Sequence, residues 1–199
     1  MSSLQERIEI LEKDLLATPP RINAYHDLPF AIFRYDPASE YEIRKQISLF
    51  ATRIQNAGRK VHVISLARIL WSVIEQTEGI EAIIDEERQL GFMRAQETVS
   101  ILLSDAAFMP LPEVLEKRLR DLDPDRDVVF LVRVGALGPG IYRSAKLLDE
   151  MHGRTMVPII LFYPGSLIGE NNLRFMDLPG REQTGAYNYR VRIYLVVFY

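Results

Sequence analysis

Asp127-Val128-Val129-Phe130-Leu131-Val132 and Val157-Pro158-Ile159-Ile160-Leu161-Phe162-Tyr163 are near-continuous apolar runs, each leading into a glycine-containing stretch. A strand covered on both faces reads this way, as in a parallel sheet. The segment between them is expected to hold a helix that begins near Ile141 and carries the chain back across the sheet. Two loops, Gly135 to Gly140 and Pro164 to Gly169, should then open on one edge, the edge where α/β sheets bind ligands.

Working outward from that unit, Leu28 to Tyr35 reads as a first strand ended by Asp36-Pro37. Ser39 and Glu42 occupy capping-box positions before a helix whose apolar face is Ile43, Ile47, Phe50 and Ile54 and which Gly58 closes. Lys60 to Ile64 is the second strand. From Leu66 to Leu122 the periodicity is helical only, in four stretches: 66–77, 80–89, 92–103 and 112–122. That is longer than a simple crossover, so it is either a helical insert or a helical layer on the sheet. At the start of the chain, residues 3–16 form an amphipathic helix with Ser3 and Glu6 as a capping box, stopped by Pro19-Pro20. At its end, Tyr189 to Val197 is a last β-rich segment. The expectation is one α/β domain over residues 1–199, with a mostly parallel sheet, flanking helices and the excursion at 66–122 between the second and third strands.

With 199 residues, no cysteine, 48% hydrophobic and 26% charged residues, the composition is that of an ordinary globular protein with a sizeable core. Disulfides and thiolate metal sites are excluded. The N-terminus carries no basic head followed by an apolar stretch, and no window is long enough to span a bilayer, so a cytoplasmic location is expected. A net charge of −3 without a basic stripe argues against direct nucleic-acid binding. If DNA were bound, Arg143, Lys146, Arg190 and Arg192 would have to supply the patch.

The loop Gly135-Ala136-Leu137-Gly138-Pro139-Gly140 precedes Arg143 and Lys146 and reads first as a tight turn between strand and helix, with an anion- or ligand-binding site as the second reading. It matches neither dinucleotide nor Walker A spacing. Ser166 after Pro164-Gly165 lacks the glycine flanks of a nucleophile elbow. Asp85-Glu86-Glu87 points to different sides of one helix, and Asp121 to Asp127 lacks the glycine and terminal glutamate of a calcium loop, so it reads as a helix end leading into a strand. Trp71 falls within an apolar helical set and is expected in the core. The aromatic residues and arginines near the end, Tyr187 to Tyr199, suit a central strand or an interaction edge.

These residues resemble the BrxB family of bacteriophage exclusion (BREX) defence systems. The resemblance is carried by Leu28 to Pro37 with Glu40, by Val134-Gly135 through Arg143-Ser144 and Leu147-Leu148, by Pro158 to Gly165, by Leu173-Arg174-Phe175 and by Asn188-Tyr189-Arg190. It implies a cytoplasmic member of an operon that also encodes a DNA methyltransferase, a large ATPase and a phosphatase-superfamily protein, PglZ. The role it implies is non-catalytic, accessory or scaffolding, in contact with PglZ, with no cofactor, metal or catalytic residue. The candidate ligand- or partner-binding residues are Gly135, Gly138, Gly140, Arg143, Ser144, Pro164, Gly165 and Arg190. The tail Ile193 to Tyr199 is more apolar than the family's end, as an added strand or an oligomer contact would be. With the N-terminal helix, it suggests a homodimer. The strand spacing is also similar to a nucleotide-binding ATPase core without its phosphate loop, a fold analogy only.

Overall fold

A computed structural model of the protein describes residues 4–22, 28–138, 140–168, 172–178, 184–186 and 191–195. Its centre is five parallel strands: β1 (Phe30–Tyr35), β2 (Lys60–Ser65), β3 (Asp127–Val132), β4 (Ile159–Ile168) and β7 (Arg192–Tyr194), in the order β2-β3-β4-β1-β7. Two further strands, β5 (Asn172–Phe175) and β6 (Thr184–Ala186), extend the sheet antiparallel from the far end of β4. The α/β class with a mostly parallel sheet is therefore as expected. Val129 faces Ile159 and Leu131 faces Leu161 across β3 and β4, so both strands point their carboxyl ends at one rim.

Alternation along the strands divides the core. Val128, Phe130, Ile160, Phe162, Ala31 and Phe33 face one side, against α1 (Leu4–Leu16) and α2 (Glu40–Asn56). Val129, Leu131, Ile159, Leu161, Phe30 and Ile32 face the other, against the remaining helices. These are α3 (Leu66–Gln76), α4 (Ile80–Leu90), α5 (Phe92–Ser104), α6 (Leu111–Leu119) and α7 (Ser144–Glu150). The excursion is thus a helical layer on the sheet: α3, α5 and α6 bury their apolar faces there, whereas α4 buries no residue and packs alongside α5.

α1 is tied to the body at both ends of the chain. Asp14 accepts from the Tyr194 hydroxyl at 2.8 Å and pairs with Arg192 at 2.9 Å, and Glu12 pairs with Arg53 of α2 at 2.7 Å. Burial, then the Asp14 bond, pushes the Tyr194 pKa up. Leu11 and Leu15 lie in the core, so the helix's apolar face is covered within this chain.

Four sequence expectations need correction. Ser39 makes no side-chain cap: Pro37–Ser39 forms a short 3-10 turn instead, capped by Asp36, whose Oδ1 accepts from the Ala38 N–H at 2.9 Å. Trp71 is not in the core but 56% exposed, because Ile69, Leu70, Val73 and Ile74 already fill the buried face of α3. The fourth strand does not stop at Pro164-Gly165. It changes partner there, from Tyr35↔Pro164 on β1 to Gly165↔Phe175 on β5, and continues to Ile168. Finally, α7 begins at Ser144 and not near Ile141. Ser3, Pro139, Gly169, Tyr187, Tyr189, Arg190 and residues 196–199 lie outside the described residues.

Candidate functional site

At the carboxyl rim, above the ends of β3 and β4, a cleft of about 560 Å³ opens between α5 and the loop leading into α7. Its floor is Leu137, Tyr163 and Phe175, with the last two rings packed edge to face at a centroid distance of 5.6 Å. One wall is a single face of α5: Phe92, Gln96, Ser100 and Ser104 recur every fourth residue, with Met93 beside the first. The opposite wall is Gly138 together with Gly140 to Lys146.

Of the residues singled out from sequence, the structure brings Gly138, Gly140, Arg143 and Ser144 together in this cleft. The glycines have a steric reason to be there. A Cβ at Gly138 would collide with the Phe175 ring, and one at Gly140, whose φ is +87°, would collide with the Gln96 amide. Gly135 sits one turn back, in a 3-10 turn spanning Val134–Leu137. Pro164 and Gly165 lie beneath the cleft: the Pro164 carbonyl accepts from the Met176 N–H at 3.0 Å, and a Cβ at Gly165 would strike the Arg174 carbonyl. Close approach thus explains the glycine at 165, whereas a Cβ at Gly135 would meet only the Met176 sulfur at 3.8 Å, an ordinary contact.

The cationic groups at the cleft differ in their engagement. Lys146 lies 3.6 Å from Glu150 and 5.1 Å above the Tyr142 ring. The Tyr142 hydroxyl donates to Glu150, and burial followed by that bond raises its pKa. Arg143 is exposed and forms no ion pair among the described residues. Arg192, grouped with these residues as a conceivable DNA patch, is bound instead to Asp14 on the other face of the sheet. The patch is therefore not assembled from Arg143, Lys146 and Arg192.

The exit of β1 is closed. The buried Tyr35 hydroxyl donates to Glu40, Arg44 pairs with the same carboxylate at 2.9 Å, and Arg133 approaches it at 3.9 Å. Burial, then Glu40, pushes the Tyr35 pKa up. A phosphate-binding loop would follow β1 in the ATPase analogy; Arg34-Tyr35-Asp36-Pro37 and a short 3-10 turn stand there. Sequence reasoning missed the α5 wall, although Phe92, Gln96, Ser100 and Ser104 were detectable as a four-residue recurrence with small polar members. It also missed Tyr163 and Phe175, whose apolar character signalled only a core.

Fold and cleft together define an α/β protein of three layers, with a parallel sheet and a recess at its carboxyl rim. The model of the BrxB family, described as "BREX protein BrxB", matches residues 62–193, from β2 to β7 and including every residue that lines the cleft. The match spans more than half of the sequence, and the chain belongs to the BrxB family, a component of the BREX defence system. It is 26% identical over 158 residues to a "BREX protein BrxB" of Bacillus cereus (strain H3081.97), covering 77% of this chain and 79% of that protein. No solved structure gives a significant match, so the ATPase comparison stays an analogy of strand arrangement. No helix among the described residues is long and apolar enough to cross a membrane.

Proposed function

We propose that the protein is a non-catalytic accessory of the BREX machinery that works through protein contacts, with the PglZ-type protein of its operon as the first partner. Membership of the BrxB family supplies the system. The observation that carries the mode of action is the corner between α4 and α5, where Leu90, Phe92 and Met93 are 65%, 61% and 72% exposed. Three large apolar side chains in nearly consecutive positions, beside a helix that buries nothing, form a patch of the kind partner proteins cover.

Self-association has weaker support: α1 spends its apolar face on this chain's own core, which leaves the C-terminal tail as its remaining motive.

Co-expression with the operon's PglZ-type protein, methyltransferase and ATPase, followed by affinity purification, tests the reading. A stable complex with the PglZ-type protein is expected, weakened by Leu90→Glu with Met93→Glu, two exposed positions where folding should be unaffected. Failure to retain any of the three products would overturn it.

A further inference from the structure

We propose that the rim cleft binds a mononucleotide, its base packed on the exposed Phe92 ring at the lip and its phosphate at Arg143. The cleft shares Phe92 and Met93 with the docking patch, whereas Arg143 belongs to the cleft and not to the patch. A concave site of about 560 Å³ with an exposed aromatic ring at its lip and a few convergent polar groups has the size and character of a small-molecule pocket. Its chemistry is graded along its length. Tyr163 and Phe175 are buried and close the bottom, Phe92 offers an exposed ring at the lip, and Gln96 with Ser100 and Ser104 offers neutral polar groups along one wall. Ser104 already donates its hydroxyl proton to the Ser100 carbonyl at 2.6 Å, which leaves its oxygen free to accept.

Charge points the same way. The other arginine of this region, Arg94, is taken by Glu97 at 2.9 Å and Glu86 at 3.4 Å. Glu150, the acid nearest Lys146, already accepts from Tyr142. Arg143 is thus a cation at the rim with no carboxylate partner among the described residues. A flat ring bearing an anionic group satisfies both ends of the cleft, whereas an acidic peptide would use Arg143 and leave the polar wall unemployed. The close packing of Gly138 on the Phe175 ring and of Gly140 on the Gln96 amide brings the two walls together across the cleft.

The full chain should be titrated with AMP, ADP, ATP and GTP, and separately with pyrophosphate and an Asp/Glu hexapeptide, by calorimetry and thermal unfolding. At least one mononucleotide should bind and raise Tm. Arg143→Ala should weaken that binding about 10-fold or more, and Phe92→Ala should weaken it by roughly 5-fold or more. Pyrophosphate should bind at least about 10-fold more weakly than the nucleotide. No nucleotide binding at millimolar concentration would overturn the proposal. So would binding that both folded variants retain, pyrophosphate matching the nucleotide, or preference for the peptide. Arg143→Ala should still co-purify with the PglZ-type protein, which separates failure here from failure of the docking reading.

Discussion

The exits of β1 and β3 lie on the same rim of the same sheet, yet one is shut and the other open. β1 delivers Tyr35 onto Glu40, and Arg44 and Arg133 complete the closure. β3 delivers a turn whose later glycines, Gly138 and Gly140, withhold side chains and so let Phe175 and Gln96 approach. In open α/β sheets the crevice is expected where neighbouring strands send their helices to opposite faces. Here α2 leaves β1 toward one face and α7 follows β3 on the other, with β4 between them. Ion pairing fills the β1 side of that reversal, and the opening is displaced under α5. Topology locates a rim, and the side chains at each exit decide which part of it stays accessible.

The largest test strikes the core on the face of the closed exit. Phe130 stacks on Phe50 at 5.1 Å and meets Phe162 edge to face at 5.3 Å, on the side of the sheet that Tyr35 shares and away from the cleft. Phe130→Ala should cost about 3–5 kcal/mol in chemical denaturation. A loss under about 1 kcal/mol would mean that this aromatic cluster does not support the closed side. A more selective break is Gly138→Ala. Its backbone φ of −111° accepts a side chain, so the penalty comes only from the Phe175 ring. About 1–3 kcal/mol is expected, together with weakened nucleotide binding, and an unchanged Tm would show that the ring moves aside freely. On the closed side, Tyr35→Phe removes the donor to Glu40 while keeping the buried ring. Because Glu40 is partly exposed and water can replace the hydroxyl, about 0.5–1.5 kcal/mol is expected, with nucleotide binding untouched.

Much of this contrast was hidden from the sequence for a definite reason. Strands and helices were legible because Val128 to Val132, Ile159 to Tyr163 and the helical periodicities are local signals. The glycines at 138 and 140 were legible as a turn and as part of a candidate site. What could not be read is what meets them: Phe175 and Gln96 reach the loop only through strand pairing and the lie of α5. His62 makes the same point. The register Lys60↔Asp127 sets its ring 2.8 Å from the Asp127 carboxylate, 65 positions along the chain. Burial opposes that charge, yet the His62 bond and the Asp123 N–H hold the Asp127 pKa below its ordinary value. Trp71 erred the other way, since helical periodicity names a face without saying how wide the covered stripe is.

The smallest expected effect falls on the residue that joins the two exits. Arg133 is the first residue after β3, at the start of the 3-10 turn, and it holds a left-handed backbone with φ of +64°, a conformation that costs a side-chain-bearing residue about 1 kcal/mol or more. Its guanidinium meets Glu40 only at 3.9 Å and is partly exposed, so the pair returns at most a few tenths of a kcal/mol. Arg133→Gly removes the strain and the weak pair together, while adding glycine's extra freedom to the unfolded chain. These terms nearly cancel, and stability should change by less than about 0.5 kcal/mol. A loss above about 1.5 kcal/mol would show that the Arg133 contact with Glu40 is far stronger than its separation implies. The closed and open exits would then be one coupled unit, and Arg133→Gly would disturb nucleotide binding in the cleft as well as the Tyr35 closure.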